Sequence, residues 1–380
     1  MRARVAIVGA GVGGLVAAAA LRSRGFEVAV FEQAPRLRQQ GSGLGLWTNA
    51  VAALHELGIT NILDGIAEPV QRLVFLSAEG ERLNEIRLDR IARRFSAPSA
   101  NVHRSELLSA VAGEVGEEAI TFGARCVGFE QDAQGVTVRF DDGGEHRTDL
   151  LVSADGVGSA IRRALHGEDG KETRCWSGWQ GVASPGPAEL PKWAGLFVLN
   201  GQALAGLYQL TNARVHWFLD DPAPRRTPRN VAVLEVLLER LRGWPPVVRD
   251  AVASTSPDSI SYNEVRDLLP YRPWGEGRVT LLGDAAHPML PTLGQGACQA
   301  IEDAAALVRC LDSEADVETA LRSYERQRLR RVVAFFRASR LSWDLRSRAP
   351  ASPRDALVRV APSPLLSFLF GRTIRPAKIR

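Results

Sequence analysis

The chain has 380 residues, 45% of them apolar and 24% charged, which fits a globular protein of about two domains. Its formal net charge is +4, from 47 basic and 43 acidic residues, and the arginines are scattered rather than gathered in a stripe, which argues against nucleic-acid binding. No run approaches the ~20 apolar residues of a membrane span, and the four cysteines show neither CxxC nor zinc spacing, so neither a transmembrane helix nor a metal site is expected. No signal-like segment precedes Val5, so the cytoplasm and reduced thiols are expected.

The first predicted elements lie in RVAIVGAGVGGLVAAAALRSRGFEVAVFEQ, residues 4–33. Residues 5–8 read as a strand, 15–22 as a helix and 28–31 as a second strand ending at Glu32. Gly9, Gly11 and Gly14 fit G-x-G-x-x-G between strand and helix. Gly9 permits the tight turn, Gly11 lets a pyrophosphate approach the backbone, and Gly14 lets the helix pack closely on the strand. Free N–H groups at the helix start favour phosphate. Glu32 stands about 20 residues on and can accept bonds from a ribose. The pattern predicts a dinucleotide site but does not tell a flavin from a nicotinamide. It occurs once, so a second dinucleotide would bind without its own unit.

Further on come GSGLGLWTNAVAALHELG (41–58), one or two strands within 72–85, and NVHRSELLSAV (101–111). LLVSADGVGSAIRRAL (150–165) reads as a buried strand, a turn at Asp155 and Gly156, and a helix started by Ser159; Arg162 and Arg163 follow. Residues 171–270 hold short alternating runs read as antiparallel strands, with an amphipathic helix at 230–244 and the most loop-like stretch at 222–228. GRVTLLGDAAHPMLPTLGQGACQAIEDAAAL (277–307) passes from an apolar strand through Asp284, two prolines and Gly-Gln-Gly into a helix over 297–311. Beyond about residue 315 the chain reads as long helices, with a basic tail.

Taken together, the GAGVGG turn with Glu32, the ADGVGSAIR segment and the GDAAHP…P…GQG segment resemble the group A FAD-dependent monooxygenases, of the para-hydroxybenzoate hydroxylase fold. The branch they look most like includes salicylate hydroxylase, urate hydroxylase and zeaxanthin epoxidase. The resemblance runs from Arg4 to about Arg331. It implies an α/β fold: a Rossmann-type FAD-binding domain from 1–70, 99–170 and 271–330, a β-sheet-rich substrate domain from 71–98 and 171–270, and a C-terminal helical segment from 331–380. It implies FAD bound by Gly9, Gly11, Gly13, Gly14, Glu32, Gly43, Arg104, Asp155, Asp284, Pro291, Gly294, Gln295, Gly296 and Ala297. Asp284 would take the ribityl hydroxyls, Pro291 would stiffen the loop against the ring, and the helix opened by residues 294–296 would face the pyrimidine edge, where negative charge grows on reduction.

The implied reaction consumes NADH or NADPH and O2, and hydroxylates an aromatic or other electron-rich small molecule through a flavin C4a-hydroperoxide. The cofactor carries that chemistry, so no catalytic triad is required. His287 is open to two readings, a base or a structural neighbour of Asp284. Substrate-pocket candidates are Trp176, Trp179, Tyr208, Gln209, His216 and Trp217, and an aromatic or polyketide-like substrate fits them. No arginine–tyrosine pair on these strands matches the substrate contacts of urate hydroxylase. Alternatives are an FAD-dependent reductase, a halogenase or a non-catalytic FAD-fold binding protein; the halogenase W-x-W-x-I-P is replaced here by W-x-x-W at Trp176 and Trp179.

Overall fold

The computed structural model describes residues 3–37, 42–167, 174–220, 233–270, 272–348 and 358–377. Gly41, the loop-like stretch 222–228 and the start of the helix expected at 230–244 lie outside these residues; the described part of that helix is Val233–Arg240.

Five parallel strands form a central sheet in the order Val279–Leu281, Leu150–Ser153, Arg4–Val8, Glu27–Glu32, Ile120–Phe122. The runs VAIV, LLVS and VTL are buried throughout, because a parallel sheet covered on both faces needs apolar residues on both. Helix Val12–Ser23 packs against helices Arg104–Val115 and Gly296–Ser313, and all three contribute to the core at the sheet. A small antiparallel sheet, Cys126–Asp132, Gly135–Phe140 and Glu145–Thr148, meets it through Phe31 and Phe140, whose ring centroids are 4.8 Å apart.

Strand order reverses at Arg4–Val8. The chain steps to one side of it for Glu27–Glu32 and to the other for Leu150–Ser153, which leaves a crevice at their carboxyl ends. Gly9 adopts φ +106° there, and a Cβ on it would stand 2.3 Å from the Ala154 carbonyl oxygen. A Cβ on Gly14 would stand 2.1 Å from the Gly9 carbonyl oxygen. Helix, turn and neighbouring strand therefore touch backbone to backbone.

A second, seven-stranded sheet runs in the order Ser261–Asp267, Arg174–Ala183, Val215–Asp220, Ala203–Gln209, Ala194–Asn200, Arg72–Leu76, Arg82–Arg87. Its outer face packs under helices Val233–Arg240 and Pro246–Ala253. Its inner face joins the main core through Tyr208, Phe197, Phe218 and Phe75. Between the two large sheets lies a small one, Gly43–Leu46, Ala100–His103 and Ala67–Pro69.

The C-terminal part differs from expectation in one respect. Val317–Arg348 is one continuous helix of 32 residues, so the boundary expected at 330/331 falls inside it. Its charged and apolar positions alternate with helical period on both sides of that point, and nothing in the sequence there breaks a helix. Helix Ser363–Thr373 lies on strand Arg82–Arg87 and helix Leu88–Phe95. No helix among the described residues is long and apolar enough to cross a membrane.

Gly14→Ala is expected to lower stability by about 1–3 kcal/mol, because the added methyl must push the helix off the turn. Urea unfolding checks this; an unchanged midpoint would mean that helix and turn separate freely.

Candidate active site

Three turns empty into the crevice: residues 9–14 after the first strand, 154–159 after Leu150–Ser153, and 282–296 after Val279–Leu281. Gly11 is open, with nothing within 4 Å of where its Cβ would stand. Gly13 is different: a Cβ there would meet Leu282 at 2.6 Å, so this glycine serves close packing between the first and third turns. The Glu32 carboxylate accepts from Ala10 N–H at 2.9 Å and Ala34 N–H at 2.8 Å, which fixes it beside the glycine turn. Helix Val12–Ser23 has neither a side-chain cap nor an acid in its first turn, so its N–H groups face the crevice without an anion.

Asp155 accepts from Ser153 Oγ and from Ala160 N–H at 2.9 Å, so it holds the start of helix Ala160–His166. Arg162 is fully buried and donates to the Ala285 carbonyl at 2.9 Å. It thus ties the second turn to the third. Asp284 is exposed to the crevice yet set deep in it. Poor hydration raises its pKa above the usual 3.8, and His287 and Arg104 act in the other direction. Arg104 opens helix Arg104–Val115, is exposed, and has its N–H on the Ser42 carbonyl at 3.0 Å.

Pro291 begins a short 3-10 turn, Pro291–Leu293, and Gly294 follows at φ +59°. Helix Gly296–Ser313 starts next, again without a side-chain cap or an acid in its first turn. A Cβ on Gly296 would stand 3.9 Å from Asp284 Oδ1, so the helix start and this carboxylate share one wall. The Gln295 side chain turns inward: its Oε1 accepts from Asn49 Nδ2 and from Gln299 Nε2, both at 3.0 Å.

Behind this wall lies a buried ion network. Asp303 Oδ2 accepts from Gly283 N–H at 3.0 Å and meets His287 Nε2 at 2.5 Å. Its other oxygen binds Arg328 at 2.5 Å. Glu302 binds Arg328 at 2.6 Å, Arg331 at 2.5 Å and Asn49 at 2.6 Å. Burial alone would raise the Asp303 pKa; His287 and Arg328 outweigh it and hold the carboxyl at about 2. His287 is fully buried and engaged with Asp303, which favours its structural reading over the base. Arg328, Glu302, Asp303 and Asn49 went unnoticed in the sequence; the adjacent acids on an otherwise apolar helix face are the signal that could have found them.

The substrate candidates divide by sheet face. Trp179 and Trp217 point to the outer core; Trp217 Nε1 donates to Thr255 at 2.8 Å, and Trp179 packs on Tyr262. Gln209 is occupied with the backbone, accepting from Trp193 N–H at 2.9 Å. These three do not reach the crevice. Trp176 is buried beside Asp220, toward the C-terminal helix. Tyr208 and His216 do come together on the inner face, their rings stacked with centroids 6.4 Å apart. Phe218 joins them 6.1 Å from His216, and Phe197 5.7 Å from Tyr208. A Cβ on Gly43 would meet the His216 ring at 2.4 Å, so Gly43 seats this imidazole. Trp47 connects the face to the third turn: its ring lies 6.4 Å from Tyr208, and its Nε1 would be 3.0 Å from a Gly294 Cβ.

The FAD binding domain family matches residues 2–339. The chain belongs to this family. It is 33% identical to the aurachin C monooxygenase/isomerase of Stigmatella aurantiaca, over 88% of this chain and 87% of that one. It is 34% identical to the 3-amino-4-hydroxybenzoate 2-monooxygenase of Streptomyces cremeus, over 97% and 95%. The solved structure of Klebsiella pneumoniae HpxO complexed with FAD and uric acid superposes with a TM-score of 0.90 at 28% identity, covering 98% of this chain and 96% of that one. The protein is an FAD-dependent monooxygenase that uses NAD(P)H and O2.

The residues present fit the cofactor. An open glycine approach, two uncapped helix starts and an exposed carboxylate set deep in the crevice suit a pyrophosphate, a ring edge and a polyol in that order. Asp284→Ala is expected to weaken FAD by about 1.5–3 kcal/mol, the worth of a charge-assisted bond. Titration of the apoprotein with FAD measures it, and an unchanged dissociation constant would place the carboxylate elsewhere.

The buried network has its own signature. Arg328→Met is expected to cost about 3–5 kcal/mol, because it removes the cation that two buried carboxylates share. The Asp303 pKa lies below its ordinary value, so its contribution is present at neutral pH and is lost as pH falls from about 4 toward about 2. Denaturant midpoints across that range should slope for the wild type and flatten for Asp303→Asn.

Proposed function

We propose that this monooxygenase hydroxylates a planar, uncharged aromatic or heteroaromatic small molecule, held between the flavin ring and the inner face of the seven-stranded sheet. One observation carries the reading. The inner aromatic group of Tyr208, His216, Phe218 and Phe197 sits on three strands that contain no lysine or arginine, and it faces Trp47 and the flavin-side turn. Such a wall recognises a ring by stacking and rejects a carboxylate that it cannot pair.

Polar atoms without partners among the described residues supply orientation. They are Trp47 Nε1, Asn101 Nδ2 and His216 Nε2. Buried polar groups rarely stay unpaired, so these support a ligand with acceptor oxygens. Burial pushes the His216 pKa down to about 3, with His103 adding to it, so the imidazole is neutral at working pH. Burial pushes the Tyr208 phenol up, so it keeps its proton and can donate.

In this reading Gly11 and the start of helix Val12–Ser23 take the pyrophosphate on the turn that Gly9 and Gly14 allow, Glu32 takes the adenosine ribose, and Arg104 and Asp155 flank them. Asp284 takes the ribityl chain, and residues 294–297 the pyrimidine edge, with Pro291 stiffening their approach. When bound, FAD accepts hydride from NAD(P)H and activates O2. The chain's part is to seat the ring against helix Gly296–Ser313, whose N–H groups favour negative charge there, and to keep water from the aromatic side.

Tyr208→Phe deletes one hydroxyl and no volume. It is expected to raise KM about 5–10-fold for the best substrate of a panel of neutral phenols and heteroaromatics, with FAD affinity unchanged. Product analysis under 18O2 and NAD(P)H consumption are the readouts. A preference for benzoates over their neutral counterparts would sink the uncharged-substrate reading.

A further inference from the structure

Helix Ser363–Thr373 is apolar on two sides. Leu366 and Phe370 turn inward, and the Phe370 ring meets Trp47 edge-on with centroids 5.7 Å apart. Leu365, Phe368 and Leu369 turn outward and are 48%, 54% and 50% exposed. They stand at i, i+3 and i+4, and Arg372 completes the stripe at i+7, its guanidinium 6.0 Å from the Phe368 ring. A surface helix of a globular protein normally shows water a polar face. Val360, just ahead of the helix, is 73% exposed.

The carboxyl end of this helix borders a groove of about 1100 Å³ lined by Arg272, Arg326, Arg330, Arg331, Arg372 and Arg375, among other residues. Arg272, Arg330 and Arg375 make no side-chain ion pair with any described residue. From residue 356 onward the sequence holds Arg359, Arg372, Arg375, Lys378 and Arg380, and no acid. Exposed leucine and phenylalanine thus adjoin a groove where arginines outnumber the acids Glu56 and Glu302 and three of them pair with no described carboxylate.

We propose that this helix docks the protein on an anionic phospholipid surface. Leu365, Phe368 and Leu369 enter the acyl boundary, and the arginine groove takes the phosphate headgroups. An 11-residue helix is too short to span a bilayer, so the contact is peripheral. A second copy of the chain would bring the same positive charge to the same face, which disfavours self-association there. The inner side of the helix covers Trp47 and, beyond it, Tyr208. Docking therefore sets the aromatic pocket's roof against the lipid, where apolar substrates collect. This last clause rests on the aromatic-substrate reading; the docking itself does not.

Co-sedimentation of the FAD-loaded protein with vesicles tests it. The wild type is expected to bind phosphatidylglycerol–phosphatidylcholine vesicles at low salt, and at least about ten-fold more weakly to phosphatidylcholine alone or at high salt. Leu365→Ser/Phe368→Ser/Leu369→Ser should lose about ten-fold or more in vesicle affinity while turning over a water-soluble panel substrate as the wild type does. Arg372→Gln/Arg375→Gln should lose most of the salt-sensitive part. A wild type that ignores anionic vesicles, a triple serine variant that still binds them, or a triple variant whose only change is loss of self-association would each overturn the proposal. Soluble turnover reads the functional assignment separately, so the two can fail independently.

Discussion

Two acids on one helix, Glu302 and Asp303, meet two arginines of the next, Arg328 and Arg331, and all but Arg331 are nearly cut off from water. Taking such charges out of water is expensive, and pairing them only offsets that cost. What the network secures is position. Asp303 holds the Gly283 N–H and His287, so the turn bearing Asp284 cannot drift. Glu302 holds Asn49, which holds Gln295, so the start of helix Gly296–Ser313 is fixed to helix Thr48–Leu57. Arg162 pins the same turn from the other side. Stretches far apart in sequence thereby converge on one wall that the protein organises by itself.

The two halves of the site rely on opposite physics. The parallel-sheet half offers backbone N–H groups, glycines and helix starts, which select phosphate and developing negative charge. The seven-stranded half offers neutral rings, an imidazole that stays uncharged and a phenol that keeps its proton. Cys298 stands at the join, its thiol pushed up to about 12 by burial and held between Trp47 N–H and the Gly45 carbonyl at 3.5 Å each. It acts as a small packing residue there. A charge meant for one half would be poorly accommodated in the other, and this keeps the two ligands apart.

What the sequence disclosed follows from range. The turn at Gly9, the strand ends and Glu32 are local patterns whose geometry is dictated within thirty residues, and they fall at the carboxyl ends of adjacent strands. The direction of the tryptophans was not local. Alternation normally marks the buried face of a strand, but both faces of the seven-stranded sheet are buried, one under helices and one against the cofactor-side core. Trp217 and His216 are neighbours in sequence and point to opposite cores, and nothing in VHWFLD says which core is which. Arg328 was invisible for a related reason. It sits in a helix rich in arginines, some exposed and some paired, and only the fold shows that this one faces Asp303.

The last described helix completes the site by closing an edge. Strand Arg82–Arg87 ends the seven-stranded sheet, and an open edge is a row of unpaired backbone groups. The C-terminal segment occupies it: Ser367 Oγ accepts from Arg87 N–H at 3.0 Å, Ser363 Oγ donates to the Glu85 carbonyl at 2.7 Å, and Asn84 donates to the carbonyls of Val358 and Ala361 at 2.7 Å each. These bonds set the height of the helix above the sheet, and hence where Phe370 meets Trp47. The covering of an edge and the roofing of a pocket are one act, performed by chain that the five-stranded sheet does not need. The roof is also tied to the cofactor wall: Arg331, which binds Glu302, donates to the Arg375 carbonyl at 2.7 Å, just beyond the helix.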